Sequence, residues 1–285
     1  MRNTRPTNQR FAVGIPSRGR TDRLVETLEA FFNQTVRPAM IVVIDNNRGN
    51  DINLTKVLAN TYTPKGTMLV VHNNASRKTS DAEGSQIALE YFNVYDYKIG
   101  VKWDDDLVPE PDCMERLLDT SGYLAVGGMY PKEKITDEHS VKYSMFIEGK
   151  GVRSGNKEQP SHLQFYPWHP TTKHKIIEMP ALYSSFMYCV PAANLIGGFA
   201  GQEYSQHSYK HETDFTLRLA RLGPLAVRTD AAAVHKWSSG GVRSFTEEES
   251  IRMHRQDEDT FNKRMKLFGI DPLSWRHERG TARSI

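Results

Sequence analysis

The chain has 285 residues, 38% hydrophobic and 25% charged, with 20 glycines and 14 prolines. That composition excludes a disordered, collagenous or coiled-coil protein and suffices for one large domain or two fused lobes. The 37 Lys and Arg exceed the 34 Asp and Glu by a net +3, which permits a polyanionic partner without requiring one, and two cysteines, Cys113 and Cys189, exclude a disulfide framework or a cysteine-rich zinc site.

Three arginines near the start precede no apolar leader region, and the longest apolar runs fall far short of a membrane span. A soluble, cytoplasmic protein with no integral membrane association is therefore expected.

Residues 11–15 form a β-prone run ending at Pro16, and Thr21 is expected to cap a helix carrying Leu24, Leu28 and Phe31 at helical spacing. Residues 40–44 are apolar without alternation, as in a strand buried on both faces of a parallel sheet. A helix is expected over 53–59 and a strand over 68–71. Ser80-Asp81-Ala82-Glu83 reads as a capping box opening a helix to about Phe92. A fourth strand, 97–103, ends in Asp104-Asp105-Asp106, and Pro109 and Pro111 are expected to start a helix with Met114, Leu117 and Leu118.

This alternation predicts a doubly wound α/β sheet, in which ligands sit beyond the carboxyl ends of the strands. The polar clusters around Arg18, Asp45 and Asp104 all fall at that edge. Residues 129–183 read as an acceptor-facing insertion with β-prone pieces at 141–147 and 162–168 and a Gly/Lys/Ser-rich loop at 149–157. Then come a Gly197-Gly198-Phe199 turn, a helix over about 210–222 with Phe215, Leu219 and Leu222 on one face, a strand over 225–228 and a loop holding His235. Thr246-Glu247-Glu248-Glu249 is a second capping box, opening a charged helix to about Phe268 before a basic tail.

Three consecutive aspartates closing a strand crowd like charges that a hard divalent cation, Mg²⁺ or Mn²⁺, would relieve, and such an ion can bridge nucleotide phosphates. The competing reading is a solvated acidic turn.

The motif order resembles the metal-dependent, family 2-like glycosyltransferases of the GT-A fold. The matching parts are Val13 to Arg20, Ile41 to Asn47, the helix start at Ser80, Lys102 to Pro109, Gly197-Gly198-Phe199 and His211 to Arg218, spanning 11 to about 236. The resemblance implies a GT-A domain over 1–240, with a nucleotide-sugar half (about 11–110) and an acceptor half (about 111–240), followed by a C-terminal helix and tail over 241–285. It also implies an inverting transferase using a nucleotide-sugar donor, UDP-sugar as first expectation. Pro16 and Arg18 would line the nucleotide site, Asp45 would hydrogen-bond the base, and the segment containing Asp81 would close over the nucleoside. Asp104 would contact the ribose or a metal-bound water, Asp105 would lie near the sugar, and Asp106 would bind the metal. His235 would complete the metal shell, and an imidazole ligand favours Mn²⁺ over Mg²⁺.

The carboxylate base of an inverting transferase maps to Glu212, where relatives carry aspartate, with Asp214 as rival; the plain alternative for both is a pair of helix-start acids stabilised by the macrodipole. Lysines of the insertion interleave with Phe146, Phe165, Tyr166 and Trp168, which suits stacking on a sugar. A hydroxylated nucleic-acid base flipped from DNA is the minority acceptor, because Glu133, Asp137, Glu138, Glu148 and Glu158 dilute the positive charge. Two other functions compete: a metal-dependent nucleotidyltransferase, against which no Gly-rich phosphate loop with a lysine follows the first strand, and a non-catalytic nucleotide-sugar-binding module.

Overall fold

The computed structural model describes residues 9–46, 58, 63–74, 80–129, 152–153, 163–164, 176–179, 181–236 and 245–271. Its first half alternates strands and helices: β1 (Phe11–Ser17), α1 (Thr21–Phe32), β2 (Met40–Asp45), β3 (Met68–Asn73), α2 (Asp81–Val94), β4 (Ile99–Lys102), β5 (Leu107–Pro109) and α3 (Cys113–Leu118). The second half adds β6 (Ala125–Met129), β7 (Val152–Arg153), β8 (Leu163–Gln164), β9 (Ile176–Met179), β10 (Phe186–Cys189), α4 (Val190–Leu195), α5 (His211–Leu219), β11 (Leu225–His235) and α6 (Glu247–Leu267).

Among the described residues nine strands form one mixed sheet in the order β3-β2-β1-β4-β10-β6-β11-β5, with β9 also on β11. The expected doubly wound α/β architecture is the observed one. β1, β2, β3 and β4 run parallel, whereas β10 is inserted antiparallel between β4 and β6. The central strands are buried on both faces, which explains their unbroken apolar runs. Phe11, Val13, Ile15, Ile41 and Val43 join α1 and α3 in one core, and Ala12, Met40, Val42 and Ile44 join α2, α4 and α5 in another.

Close approach governs the packing of β1 on α2. A Cβ placed on Gly14 would lie 2.3 Å from Ala88 Cβ, so neither backbone can stay in place. Gly14→Ala is expected to destabilise the protein by about 1–3 kcal/mol through overpacking, measured as a lower urea midpoint at unchanged m-value.

Several local expectations are corrected. Thr21 is the first residue of α1, preceded by Arg20 in the cap position, because the β1–α1 turn is completed at Gly19 with a φ of +66°. Pro109 belongs to β5 rather than to a helix start, and α3 opens at Cys113. The helix with Phe215 and Leu219 stops at Leu219, leaving Leu222 beyond it and half exposed. His235 lies in a strand, not a loop: β11 has an irregularity between Val227 and Ala232, after which it continues to His235 and pairs antiparallel with β5. The Ser80 cap is observed, with Ser80 Oγ accepting from the Glu83 amide, and Thr246 forms a complete capping box with Glu249.

The helix over 53–59, apart from Leu58, the β-prone piece at 141–147 and most of the insertion lie outside the described residues. Among the described residues no helix is long and apolar enough to cross a membrane.

Candidate active site

Pro16 and Asp45 occupy the carboxyl ends of the neighbouring strands β1 and β2, where Ser17 is the register partner of Asp45. The first turn of α2 rests on Pro16, since a Cβ on Gly84 would come within 2.9 Å of the proline ring. Asn46 and Asn74 tie the ends of β2 and β3 to that turn. Asn46 Nδ2 donates to Ser80 O at 3.2 Å, and Asn74 Nδ2 donates to Asn46 Oδ1 at 2.9 Å and Glu83 Oε2 at 3.2 Å. Arg18, in the loop after β1, stacks over the Phe245 ring at 4.7 Å.

β4 ends at Lys102, and the turn that follows divides the aspartate run between the two faces of the sheet. Val101 and Trp103 point into the α1 core, and Trp103 packs edge-on against Phe31 at 5.4 Å. Lys102, between them, must emerge on the opposite face, where α2 and α5 begin. There its buried Nζ donates to Asp104 Oδ1 at 2.5 Å, Glu212 Oε1 at 2.9 Å and Asp81 Oδ2 at 3.0 Å. Ser184 Oγ donates to the other oxygen of Asp104, and Ser185 Oγ accepts from the Asp104 amide at 2.9 Å.

His211 completes this node. Its Nε2 lies 3.2 Å from Asp81 Oδ2 and its Nδ1 lies 3.2 Å from Glu212 Oε2 and 2.6 Å from Ser208 O. Burial opposes the charge of Lys102, but Asp104, Asp81 and Glu212 outweigh it and hold the ammonium well above the usual lysine range. The same contest raises the His211 imidazolium, where burial is overcome by Glu212 and Asp81. Burial pushes the Asp81 carboxyl up, yet Lys102 and His211 together hold it well below the usual carboxylate range.

Asp105 and Asp106 turn to the α1 side. Asp105 is fully buried; Ser17 Oγ donates to its Oδ2 at 2.7 Å, Arg20 pairs with its Oδ1, and Thr27 Oγ1 donates to its carbonyl at 3.0 Å. Burial, reinforced by Asp106 and opposed by Arg20, pushes its carboxyl up to about 7. Asp106 meets Arg20 through Oδ2 at 2.5 Å and His235 Nε2 through Oδ1 at 3.3 Å. That second contact follows from strand pairing: β5 starts directly after Asp106, His235 is the register partner of Leu107, and the Lys236 amide donates to Asp106 O at 2.8 Å.

Asp214 is placed differently from Glu212. It is fully buried, receives Arg218 Nε at 2.5 Å and Tyr204 OH at 2.8 Å, and pairs with Arg264 of α6. Through these partners Asp214 links α5 to α6. Glu212 instead projects from the first turn of α5, just after Lys210 at a φ of +65°. Asp257 of α6 fixes the approach to that turn by accepting from the Ser205 amide at 2.6 Å and the Tyr209 amide at 2.8 Å.

The structure thus joins Asp106 with His235, and Asp81 and Asp104 with Glu212. It adds Arg20, Lys102, Ser184 and His211, to which the sequence reading assigned no role. Asp81, His211 and Glu212 have ligand atoms within 4.8 Å of one another, a spacing compatible with a metal ion. Lys102 already supplies a cation to two of those carboxylates, so the node is internally compensated. Asp106 meets His235 through Oδ1 and Arg20 through its other oxygen, Oδ2.

No protein-family model and no curated protein sequence matches the chain. Solved structures do resemble it. The fragment 1–349 of S. aureus TarS is 12% identical over 91% of this chain and 74% of its own, with a TM-score of 0.53. The same fragment in complex with UDP-GlcNAc gives 12% identity, 91% and 73% coverage and a TM-score of 0.55. The mannosyltransferase PcManGT from Pyrobaculum calidifontis, in complex with GDP-Man and Mn²⁺, gives 15% identity, 95% and 70% coverage and a TM-score of 0.55. At such identity the likeness establishes architecture: the chain has the mixed α/β fold of these nucleotide-sugar-bound proteins, the fold its motif order led us to expect.

Proposed function

We propose that the chain is an inverting, metal-dependent glycosyltransferase that moves a sugar from a nucleotide-sugar, a UDP-sugar first among them, to a hydroxyl acceptor. The observation that carries this reading is the division of the Asp104 to Asp106 run. One sheet edge presents a carboxylate–imidazole pair suited to a divalent cation on the α1 side and a separate carboxylate, Glu212, on the α5 side. The shared fold supports it, since two of the similar structures hold nucleotide-sugars.

The residues fit a divalent ion. Bonds of about 2.1 Å in an octahedral shell set adjacent ligand atoms about 3.0 Å apart, and Asp106 Oδ1 and His235 Nε2 are 3.3 Å apart. An oxygen–nitrogen donor set suits Mn²⁺ better than Mg²⁺. When bound, such an ion offsets the charge that develops on a departing diphosphate.

The chain's own residues supply the rest of the mechanism. Pro16, Arg18, Asp45 and Asp81 surround the nucleoside side of the edge, and Asp104, oriented by Lys102 and Ser184, faces the ribose or a bound water. Asp105 is enclosed, so it orders its neighbours rather than touching the sugar. Glu212 accepts the acceptor hydroxyl proton while the acceptor oxygen bonds to the anomeric carbon and the bond to the diphosphate oxygen breaks, a single displacement that inverts configuration. A carboxylate has about four lone-pair sites. Lys102 and His211 therefore leave Glu212 capacity for the proton. A saccharide acceptor is the favoured class, for the charge dilution in the insertion argues against a polyanion.

A thermal-shift panel of UDP, GDP, CDP and dTDP, each with and without Mn²⁺, tests the donor site. One nucleotide at one hundred times its Kd is expected to add about 2.7 kcal/mol of stability, only with Mn²⁺ present, and to lose the effect in Asp106→Asn. No shift with any nucleotide returns the aspartate run to a solvated acidic turn.

A further inference from the structure

Arg20 closes the β1–α1 turn and is used by none of the chemistry above. Its NH1 meets Asp106 Oδ2 at 2.5 Å and its NH2 meets Asp105 Oδ1. Its Nε is buried without a hydrogen-bond partner, so these two carboxylates fix where the guanidinium lies. Asp105 is itself immobilised, held by Ser17 at 2.7 Å and by Thr27 through its carbonyl at 3.0 Å. A continuous tie runs from the Ser17 side chain at the end of β1 through Asp105 and Arg20 to one oxygen of Asp106. The other oxygen, Oδ1, is the one that faces His235 Nε2.

We propose that Arg20 is a positioning residue for the Asp106–His235 cation site. By clamping Oδ2 it holds Asp106 in the rotamer that brings Oδ1 and the imidazole onto one ion, and it limits the carboxylate to a single metal-binding oxygen. The inference rests on the metal reading above and assigns a residue that reading does not.

Two effects oppose each other when Arg20 is changed. Repulsion between a guanidinium and a nearby cation argues that losing Arg20 tightens metal binding. Orientation argues the reverse, because hydrogen-bonding partners of metal-binding side chains are typically worth 10–100-fold in affinity. Arg20 already lies against Asp106 with one nitrogen and the fully buried Asp105 with the other, and Arg20→Lys leaves its charge in place, so a loss of affinity in that variant reads orientation rather than repulsion.

The test uses Mn²⁺ alone, titrated into the full chain and followed by the electron paramagnetic resonance signal of free Mn²⁺. Arg20→Lys keeps the charge but replaces a planar fork with a single ammonium. The double variant Arg20→Leu with Asp105→Asn removes the guanidinium together with its buried partner. Both are expected to weaken Mn²⁺ binding by about 10–100-fold with the fold retained by circular dichroism, and if one variant does not fold the other decides. Affinity unchanged or tightened overturns the clamp. Saturable binding in wild type with unchanged variants overturns this inference alone, whereas no saturable binding in wild type overturns the metal reading and the clamp with it.

Discussion

Glu212→Gln is expected to lower the turnover of sugar transfer by about 10²–10⁴-fold, the usual contribution of a positioned general base, while leaving Mn²⁺-dependent nucleotide binding intact. Glutamine is nearly isosteric, and its amide oxygen can still accept from Lys102, 2.9 Å from Glu212 Oε1 in the wild type. What it lacks is the ability to take a proton. The assay is release of nucleoside diphosphate from the donor that gives the thermal shift, with a panel of saccharide acceptors. Asp214→Asn is the informative contrast. Its carboxylate pairs with both Arg218 and Arg264 inside the protein, so its loss is expected to appear first as lower stability, measurable by urea unfolding, rather than as a selective loss of turnover. Wild-type rates in Glu212→Gln would place the base elsewhere. Nucleotide binding by the wild type without turnover on any acceptor would favour a binding module that has kept the pocket and lost the reaction.

Much of the fold was legible because the relevant patterns are local. Continuous β-branched runs at 40–44, helical spacing of Leu24, Leu28 and Phe31, and the Ser80 and Thr246 caps are each set by a few adjacent residues, and each matches the structure. What escaped was decided by distant pairing. The extension of β11 to His235 depends on β5, a three-residue strand more than one hundred positions earlier. The antiparallel insertion of β10 between β4 and β6 likewise leaves no mark on its own four residues. Pro109 illustrates the opposite error: proline at a helix start is a sound local signal, but here the residue ends a short strand on the outer edge of the sheet, where a missing amide is tolerated.

The sequence draws attention to the acids of the candidate site and not to its cations. Asp45, Asp81, Asp104, Asp106, Glu212 and His235 stand out as polar residues at strand ends or helix starts. Arg20 and Lys102 lie within the same motifs, but a basic residue near an aspartate run reads as solvated surface. A stronger signal was present for Lys102. It ends a strand whose preceding residues are apolar, and strand alternation opposite Trp103 forces it into the second core, where an ammonium needs carboxylate partners. Glu212 and Asp214 both lie in the first turn of α5; the local signal that separates them is Arg218, four residues after Asp214 and paired with it, and the packing of α6, which brings Arg264 onto Asp214, adds to it.

Lys102→Met is expected to have the largest effect on stability, a loss of about 3–5 kcal/mol as for other buried ion pairs broken from one side. Methionine fills the space of the lysine stem but leaves Asp81, Asp104 and Glu212 facing one another with His211 as the remaining cation of the node. The pH dependence carries the sign. In the wild type, Lys102 is raised, so its contribution is full below its unfolded value of 10.5 and is lost only as pH rises through the folded value. Asp81 is lowered, so its contribution is full above 3.8 and is lost as pH falls through the folded value. Within that interval His211 titrates: its raised imidazolium contributes fully below 6.5 and that contribution is lost as pH rises through the folded value, so the wild-type node itself weakens toward higher pH. Without the ammonium, crowding and burial raise the folded carboxyl values above the unfolded ones, the folded state binds extra protons, and the variant gains stability as pH falls. Urea unfolding at pH 7.5 and pH 5 measures this: the deficit of Lys102→Met shrinks at the lower pH, and adding Glu212→Gln recovers part of it at the higher. A deficit below about 1 kcal/mol that ignores pH, the size typical of solvated surface pairs, would mean that water reaches these carboxylates and that Lys102 does not organise the base.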